Sequence, residues 1–203
     1  MADYDFAKIE KKLSKYLDED RFQHTMGVMY TSACLAMVHG YDIKDAQVAG
    51  LLHDCAKCIP NKKKLKMCSE PNIPVSDFER SHPFLLHSRL GAYIAHEKYG
   101  IDDQEILSAI NYHTTGRREM SLLEKIIYIA DYIEPHRDKA PHLEEIRHMA
   151  YTDIDRCLFM ILEDSVAYLS SMPQDMDPLT LETYNYYKEC FLQNDVTKQE
   201  SIG

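Results

Sequence analysis

His53 and Asp54 stand side by side in AQVAGLLHDCAK (46–57), a stretch whose apolar residues read as a buried helix. An unpartnered polar group in an apolar interior costs about 2–7 kcal/mol, and an isolated charge far more. An imidazole and a carboxylate therefore enter a core only with compensation from a salt bridge, a hydrogen-bond network or a metal ion. Four further residues raise the same question. His24 lies one turn before Val28, His87 follows PFLL at a helix start, His113 lies one turn after Ala109, and Asp131 interrupts the apolar run IIYIADYI. Each alone reads as a satisfied core histidine or a capping acid. Six of them on five helices are poorly explained by unrelated networks. One metal centre in a helical bundle accounts for all. Imidazole and carboxylate together suit iron, manganese or zinc, and facing helices can aim side chains at one interior point. The ion's charge offsets the carboxylates. Neighbouring helix positions diverge by about 100°. His53 and Asp54 then straddle the inward face, where a carboxylate can bridge two ions while His53 binds one.

The other histidines have plainer explanations. His39 falls at a helix end and His96 on a charge-rich helix. His82, His136, His142 and His148 neighbour Pro, Arg or Glu in loops and surface helices. Cys55 and Cys58 form a C-x-x-C pair with no second pair to complete a zinc site, so the six cysteines read as reduced thiols.

The elements that must position these residues are helical. With 7 Gly, 8 Pro and no alternating apolar run, the chain reads as all-α. Phe6, Ile9, Leu13 and Leu17 line one face of a helix over 5–17. A second runs from an N-cap at Asp20 to His39 and stops at Gly40. Others are expected over 43–57, 61–68, 83–99 and 103–113. Ser121 and Glu124 form a capping box that opens LLEKIIYIADYIE, which Pro135 ends. Helices over 142–150, 153–171 and 178–192 complete the chain. No linker or repeat divides it, so residues 1–195 are expected to form a single domain with its core at about 18–137, and 196–203 a frayed tail.

At 203 residues, 45% hydrophobic and 28% charged, the chain is long enough for one substantial core. A net charge of −10 argues against a duplex nucleic acid or a membrane surface as partner. NKKKLK (61–66) is a local basic exception. No apolar run approaches the roughly 18 residues of a membrane span, and the N-terminus lacks a signal pattern. A cytoplasmic location is expected.

The order His24, His53-Asp54, His87, His113, Asp131 resembles the H…HD…H…H…D pattern of the HD-domain phosphohydrolases. RFQHTMGV (21–28), LLHDCAK (51–57), LLHSRLGA (85–92), HTTGRREMSLLEKIIYIADYIEPHR (113–137) and DPLTLETYNYY (177–187) resemble, more narrowly, the bacterial YqeK family of symmetrical diadenosine tetraphosphate hydrolases. The resemblance covers roughly residues 10–190. It implies an all-α HD-domain bundle and cleavage of a dinucleoside tetraphosphate at its centre to two ADP. It implies iron as cofactor, one or two ions, with manganese or another divalent metal as alternatives. It is compatible with a homodimer. His24, His53, Asp54 and Asp131 match the family's metal ligands. His87 and His113 match positions that meet the phosphates or hold a second metal. Thr114 and Arg137 match phosphate contacts, and the segment holding Asp177, Pro178 and Thr180 matches one that lies against the nucleotide. His24, Asp54 and Asp131 also border the nucleotide in this reading.

The residue types suit that chemistry. A divalent metal lowers the pKa of a bound water from about 15.7 towards neutrality, and Asp54 can hold the metal and orient the water. An anionic polyphosphate needs local cations in an acidic chain. Lys57, one turn after His53, Arg117 after the HTTG turn and Arg137 beyond Pro135 are the candidates, with Arg118 able to replace Arg117. Competing readings are an HD hydrolase of nucleoside monophosphates or deoxynucleoside triphosphates, an HD-type diiron oxygenase, and a non-catalytic nucleotide sensor.

Overall fold

The computed structural model describes residues 4–173 and 175–200, with side chains through residue 193. Among these residues the order is α1 (Phe6–Leu13), α2 (Glu19–His39), α3 (Ile43–Leu52), α4 (Asn61–Ser69), α5 (Asp77–Ser81), a 3₁₀ turn (Pro83–Leu85), α6 (Leu86–Tyr99), α7 (Gln104–Tyr112), α8 (Leu122–Ile133), α9 (Leu143–Ala150), α10 (Ile154–Ser170) and α11 (Pro178–Glu200). No strand forms among them, as the expected all-α class requires.

Helix ends follow local chemistry. Asp18, not Asp20, caps α2: its carboxylate accepts from the Arg21 N–H, and Asp20 falls inside the first turn. There its charge meets the positive end of the helix dipole. Gly40 ends α2 at φ 73°, a conformation that costs glycine little. The Ser121–Glu124 capping box is present. A second one, Ser76–Glu79, opens α5, a helix that the sequence reading did not anticipate. The backbone of α11 is helical past the expected end at 192; residues 201–203 of the expected tail lie outside the described residues.

The largest departure concerns His53 and Asp54. The expected helix over 43–57 stops at Leu52, and the chain tightens into short turns, with Cys55 N–H donating to Leu52 O and Lys57 N–H to Asp54 O. His53 Nδ1 lies 2.6 Å from the Gly50 carbonyl, the acceptor that a continuing helix would offer to residue 54. The side chain takes the backbone's place and ends the helix.

Helix α2 packs against α3 and α8, α3 against α7 and α8, and α6 against α7. Leu35, Leu51, Leu52, Leu86, Leu90, Ile106, Ile110 and Ile127 are fully buried between them. Gly50 sets the closeness of α2 and α3: a Cβ there would stand 2.8 Å from Ser32 Oγ and 3.1 Å from the Met29 Cα. Helices α9 and α11 pack on α10, which itself rests on α8.

Candidate metal centre and nucleotide cleft

Five elements carry the six singled-out residues to one buried point. Asp54, 1% exposed, is at its middle. Its Oδ2 lies 3.5 Å from His53 Nε2 and 4.0 Å from His24 Nε2. Its Oδ1 lies 3.2 Å from His87 Nε2 and 3.5 Å from His113 Nε2. Asp131 Oδ1 approaches His24 Nε2 to 3.1 Å. His24, His53 and Asp131 present ligand atoms all within 4.8 Å of one another, and so do His53, Asp54 and His113.

One device repeats three times. His53, His87 and His113 each place Nδ1 2.6–2.7 Å from a backbone carbonyl three residues earlier, those of Gly50, Phe84 and Ile110. A carbonyl only accepts, so Nδ1 carries the proton and Nε2 turns a lone pair to the centre. His113 ends α7 as His53 ends α3. His24 is held differently. Its Nδ1 lies 3.2 Å from Glu134 Oε1, a buried carboxylate that also accepts from the His136 N–H at 2.7 Å. Gly27 makes room for it, since a Cβ there would meet Glu134 Oε2 at 2.5 Å.

The electrostatics favour ionised carboxylates beside neutral His53 and His87. Burial pushes His53 and His87 down to about 4, and Asp54 only partly counters it. Burial alone would raise Asp54, but His53, His113 and His87 outweigh it and hold the carboxyl well below its usual range. Asp131 is lowered in the same way, against its desolvation, by His24, His53 and His113. For His24, burial opposes protonation, yet Asp131 and Glu134 prevail and raise its pKa.

The donor set fits a divalent metal. His24 Nε2, His53 Nε2 and Asp54 Oδ1 are buried and lack a hydrogen bond, a costly arrangement that a coordinated cation relieves. Their N and O chemistry suits iron, manganese or zinc.

Cations also gather here. Lys57 Nζ lies 3.1 Å from His87 Nε2 and 3.7 Å from Asp54 Oδ1. Arg137 Nη2 donates to the Asp131 carbonyl at 3.1 Å and lies 3.6 Å from Asp131 Oδ1. Arg21, which the sequence reading passed over, donates to Asp54 Oδ2 at 2.8 Å. Its spacing of three from His24 on one helix face was the available signal. Glu134 was also missed; it stands three residues after Asp131, beside Pro135. Arg117 is engaged elsewhere in this structure: its Nε donates to the buried capping carboxylate of Glu124 at 2.8 Å. It makes no hydrogen bond or ion pair with the six central residues.

The expected nucleotide residues divide between two hollows. Thr114, Arg137 and Thr180 line a cleft of about 520 Å³ with Tyr128, Tyr132 and Tyr168. Thr114 Oγ1 lies 3.3 Å from His87 Nε2, so this cleft adjoins the centre. Asp177 and Pro178 border a separate hollow of about 430 Å³ with Phe78, Arg89 and Tyr112. The Asp177 carboxylate accepts from the Leu179 N–H.

Residues 21–136 match the HD domain family, and the chain belongs to it. A crystal structure described as a predicted HD superfamily hydrolase involved in NAD metabolism, from Clostridium acetobutylicum, is similar with a TM-score of 0.88 at 38% identity, covering 93% of this chain and 99% of that one. Several curated relatives are named symmetrical bis(5'-nucleosyl)-tetraphosphatase. That of Bacillus subtilis is 38% identical over 174 residues, 86% of this chain and 92% of its own. That of Halalkalibacterium halodurans is 41% identical over 170 residues, 84% and 90%. Within the HD domains the chain belongs with the symmetrical bis(5'-nucleosyl)-tetraphosphatases. No helix among the described residues is long and apolar enough to cross a membrane.

Proposed function

We propose that the protein hydrolyses diadenosine tetraphosphate at its centre to two ADP, at a metal centre that pivots on Asp54. The observation that carries this reading is the convergence of imidazole lone pairs, fixed by Nδ1 donation to backbone carbonyls, on both oxygens of one buried carboxylate. His24, His53, Asp54 and Asp131 would hold the first metal, with iron the first choice and manganese or another divalent ion as alternatives. The metal, when bound, supplies Lewis-acid activation of water and of the phosphoryl group. Asp54 orients the water; Glu134 fixes the His24 ring. Lys57, Arg21 and Arg137 offset the charge that grows on the leaving phosphate. Thr114 offers a hydroxyl to the phosphates, and the tyrosine-walled cleft an aromatic face to a base. This reading treats residues 1–195 as one domain acting in the cytoplasm.

Product analysis tests it. Metal-replete protein given diadenosine tetraphosphate should yield ADP as the sole nucleotide. AMP with ATP, or no turnover alongside phosphate release from mononucleotides, would overturn the reading in favour of another HD hydrolase.

A further inference from the structure

The basic run NKKKLK is absorbed by nothing so far, and one of its lysines behaves unlike the rest. Lys62, Lys63 and Lys66 are exposed on α4, as a solvated helix face should be. Lys64 is 3% exposed. Its Nζ has one hydrogen-bond partner, Asn61 Oδ1 on its own helix at 3.4 Å. Among the described residues it forms no ion pair with a carboxylate, although the chain carries 33 Asp and Glu. A buried ammonium held only by a distant neutral oxygen lacks the compensation such a charge requires.

Its position suggests what supplies that compensation. Helix α4 packs on the 3₁₀ turn and on α6. The 3₁₀ turn provides the Phe84 carbonyl that holds His87, and α6 carries His87 itself. Burial, then repulsion from Lys57, lowers the Lys64 pKa, while Asp54 acts to raise it. Helix α4, which carries Lys64, thus rests on the elements that hold His87, whose Nε2 lies 3.1 Å from Lys57 Nζ, and the Asp54 charge is already paired with Arg21 and Lys57. An anion reaching both ammonium groups would relieve the repulsion.

We propose that Lys64 is a second phosphate-binding lysine of this site, engaging the polyphosphate of the substrate together with Lys57. The proposal rests on the hydrolase reading for the identity of the anion. It deepens that reading by extending the phosphate site from the metal centre onto α4.

The test compares wild type, Lys64→Met and Lys64→Arg, all metal-replete. Methionine keeps the length of the side chain and suits burial. Three quantities are read: metal per chain, kcat/KM on diadenosine tetraphosphate, and the Kd of inorganic tripolyphosphate by calorimetry. Lys64→Met should keep its metal and its Tm, lose about 10–100-fold in kcat/KM, and bind tripolyphosphate about tenfold more weakly, as for loss of a charge-assisted contact. Lys64→Arg should recover part of both losses. Should Lys64→Met fold poorly, Lys64→Gln takes its place. Turnover within twofold of wild type and an unchanged tripolyphosphate Kd would overturn the proposal. If wild type leaves diadenosine tetraphosphate intact, the hydrolase reading fails, and the tripolyphosphate comparison still decides Lys64: weaker binding upholds its role, equal binding removes it.

Discussion

The two sides of the Asp54 carboxylate are built from different materials. On the Oδ2 side stand His24, His53 and Asp131, with Glu134 behind His24. On the Oδ1 side stand His87 and His113, their Nε2 atoms 3.2 Å apart, with Lys57 3.1 Å from His87. Asp54 is the only carboxylate paired with His87, His113 or Lys57 among the described residues. Arg21 also pairs with Oδ2 at 2.8 Å and Arg137 lies 3.6 Å from Asp131. The first side still sets three carboxylates, Asp54, Asp131 and Glu134, against two guanidinium groups, an excess of negative charge suited to hold a cation. The second sets two lone pairs against each other, and a proton, an ammonium or a metal must lie near them. Lys57 already serves there. A second metal must compete with it, so the Oδ1 side should bind metal more weakly and favour phosphate.

Removing the shared pivot should have the largest effect. Asp54→Ala is expected to lower kcat by on the order of 10³-fold or more and to strip most of the metal. A variant that keeps full metal and half the activity would place the centre elsewhere.

Next come substitutions that separate the sides. Glu134→Gln should weaken the tight metal about 10–100-fold, the usual worth of a carboxylate behind a ligating histidine. His87→Ala and His113→Ala should leave that metal in place and remove the weaker equivalent, seen only with excess metal and nucleotide. Equal metal per chain in wild type and both variants under those conditions would leave His87 and His113 the phosphate role alone. Lys57→Met should raise the affinity of the weaker metal while lowering turnover; unchanged metal titration would show that Lys57 does not compete.

Acidity sharpens the comparison further. In protein freed of metal, His53 and His87 stay neutral down to about 4, whereas unfolded imidazoles take protons near 6.5. The unfolded state then binds more protons, so stability should fall as pH drops from about 6.5 to about 4, by on the order of a few kcal/mol. His24, whose pKa is raised, contributes stability fully present below 6.5 and gives no slope in that window. Asp54 and Asp131 are lowered, so their contribution is lost only below the ordinary carboxylate range. Denaturant midpoints that stay flat between pH 6.5 and 4 would mean that the imidazoles are solvated.

The smallest effects belong to histidines outside the centre. His39 Nε2 lies 2.7 Å from the Ala150 carbonyl and His96 Nδ1 3.0 Å from that of Ile101. His39→Ala and His96→Ala should cost about 1 kcal/mol of stability and leave kcat nearly intact. A hundredfold loss in well-folded protein would show that the ligand set is misread.

The six central residues were legible because each is polar where helical periodicity expects an apolar side chain. The helix stops at Gly40 and Pro135 were legible because those residues act locally. The end of α3 was not, since a side chain taking a backbone acceptor leaves no mark in periodicity. Arg21 and Glu134 were hidden for a related reason. Arg21 lies in the charged first turn of α2, where a cation looks like surface, and Glu134 before Pro135 reads as a helix end. Arg117 shows the same limit from the other direction. Its place after HTTG suggests a phosphate contact, while its pairing with the buried Glu124 depends on a burial that only the fold reveals. The split of Asp177 from Thr180 depends on which way α11 turns them, which spacing alone does not show.

Anomalous scattering from crystals soaked with manganese or iron is the most direct test of a metal centre on Asp54. The account predicts a strong peak among His24, His53, Asp54 and Asp131. It also predicts a weaker one beside His87 and His113 that grows with excess metal and is accompanied by displacement of Lys57. A peak elsewhere in active protein, or none at Asp54 while diadenosine tetraphosphate is turned over, would contradict it.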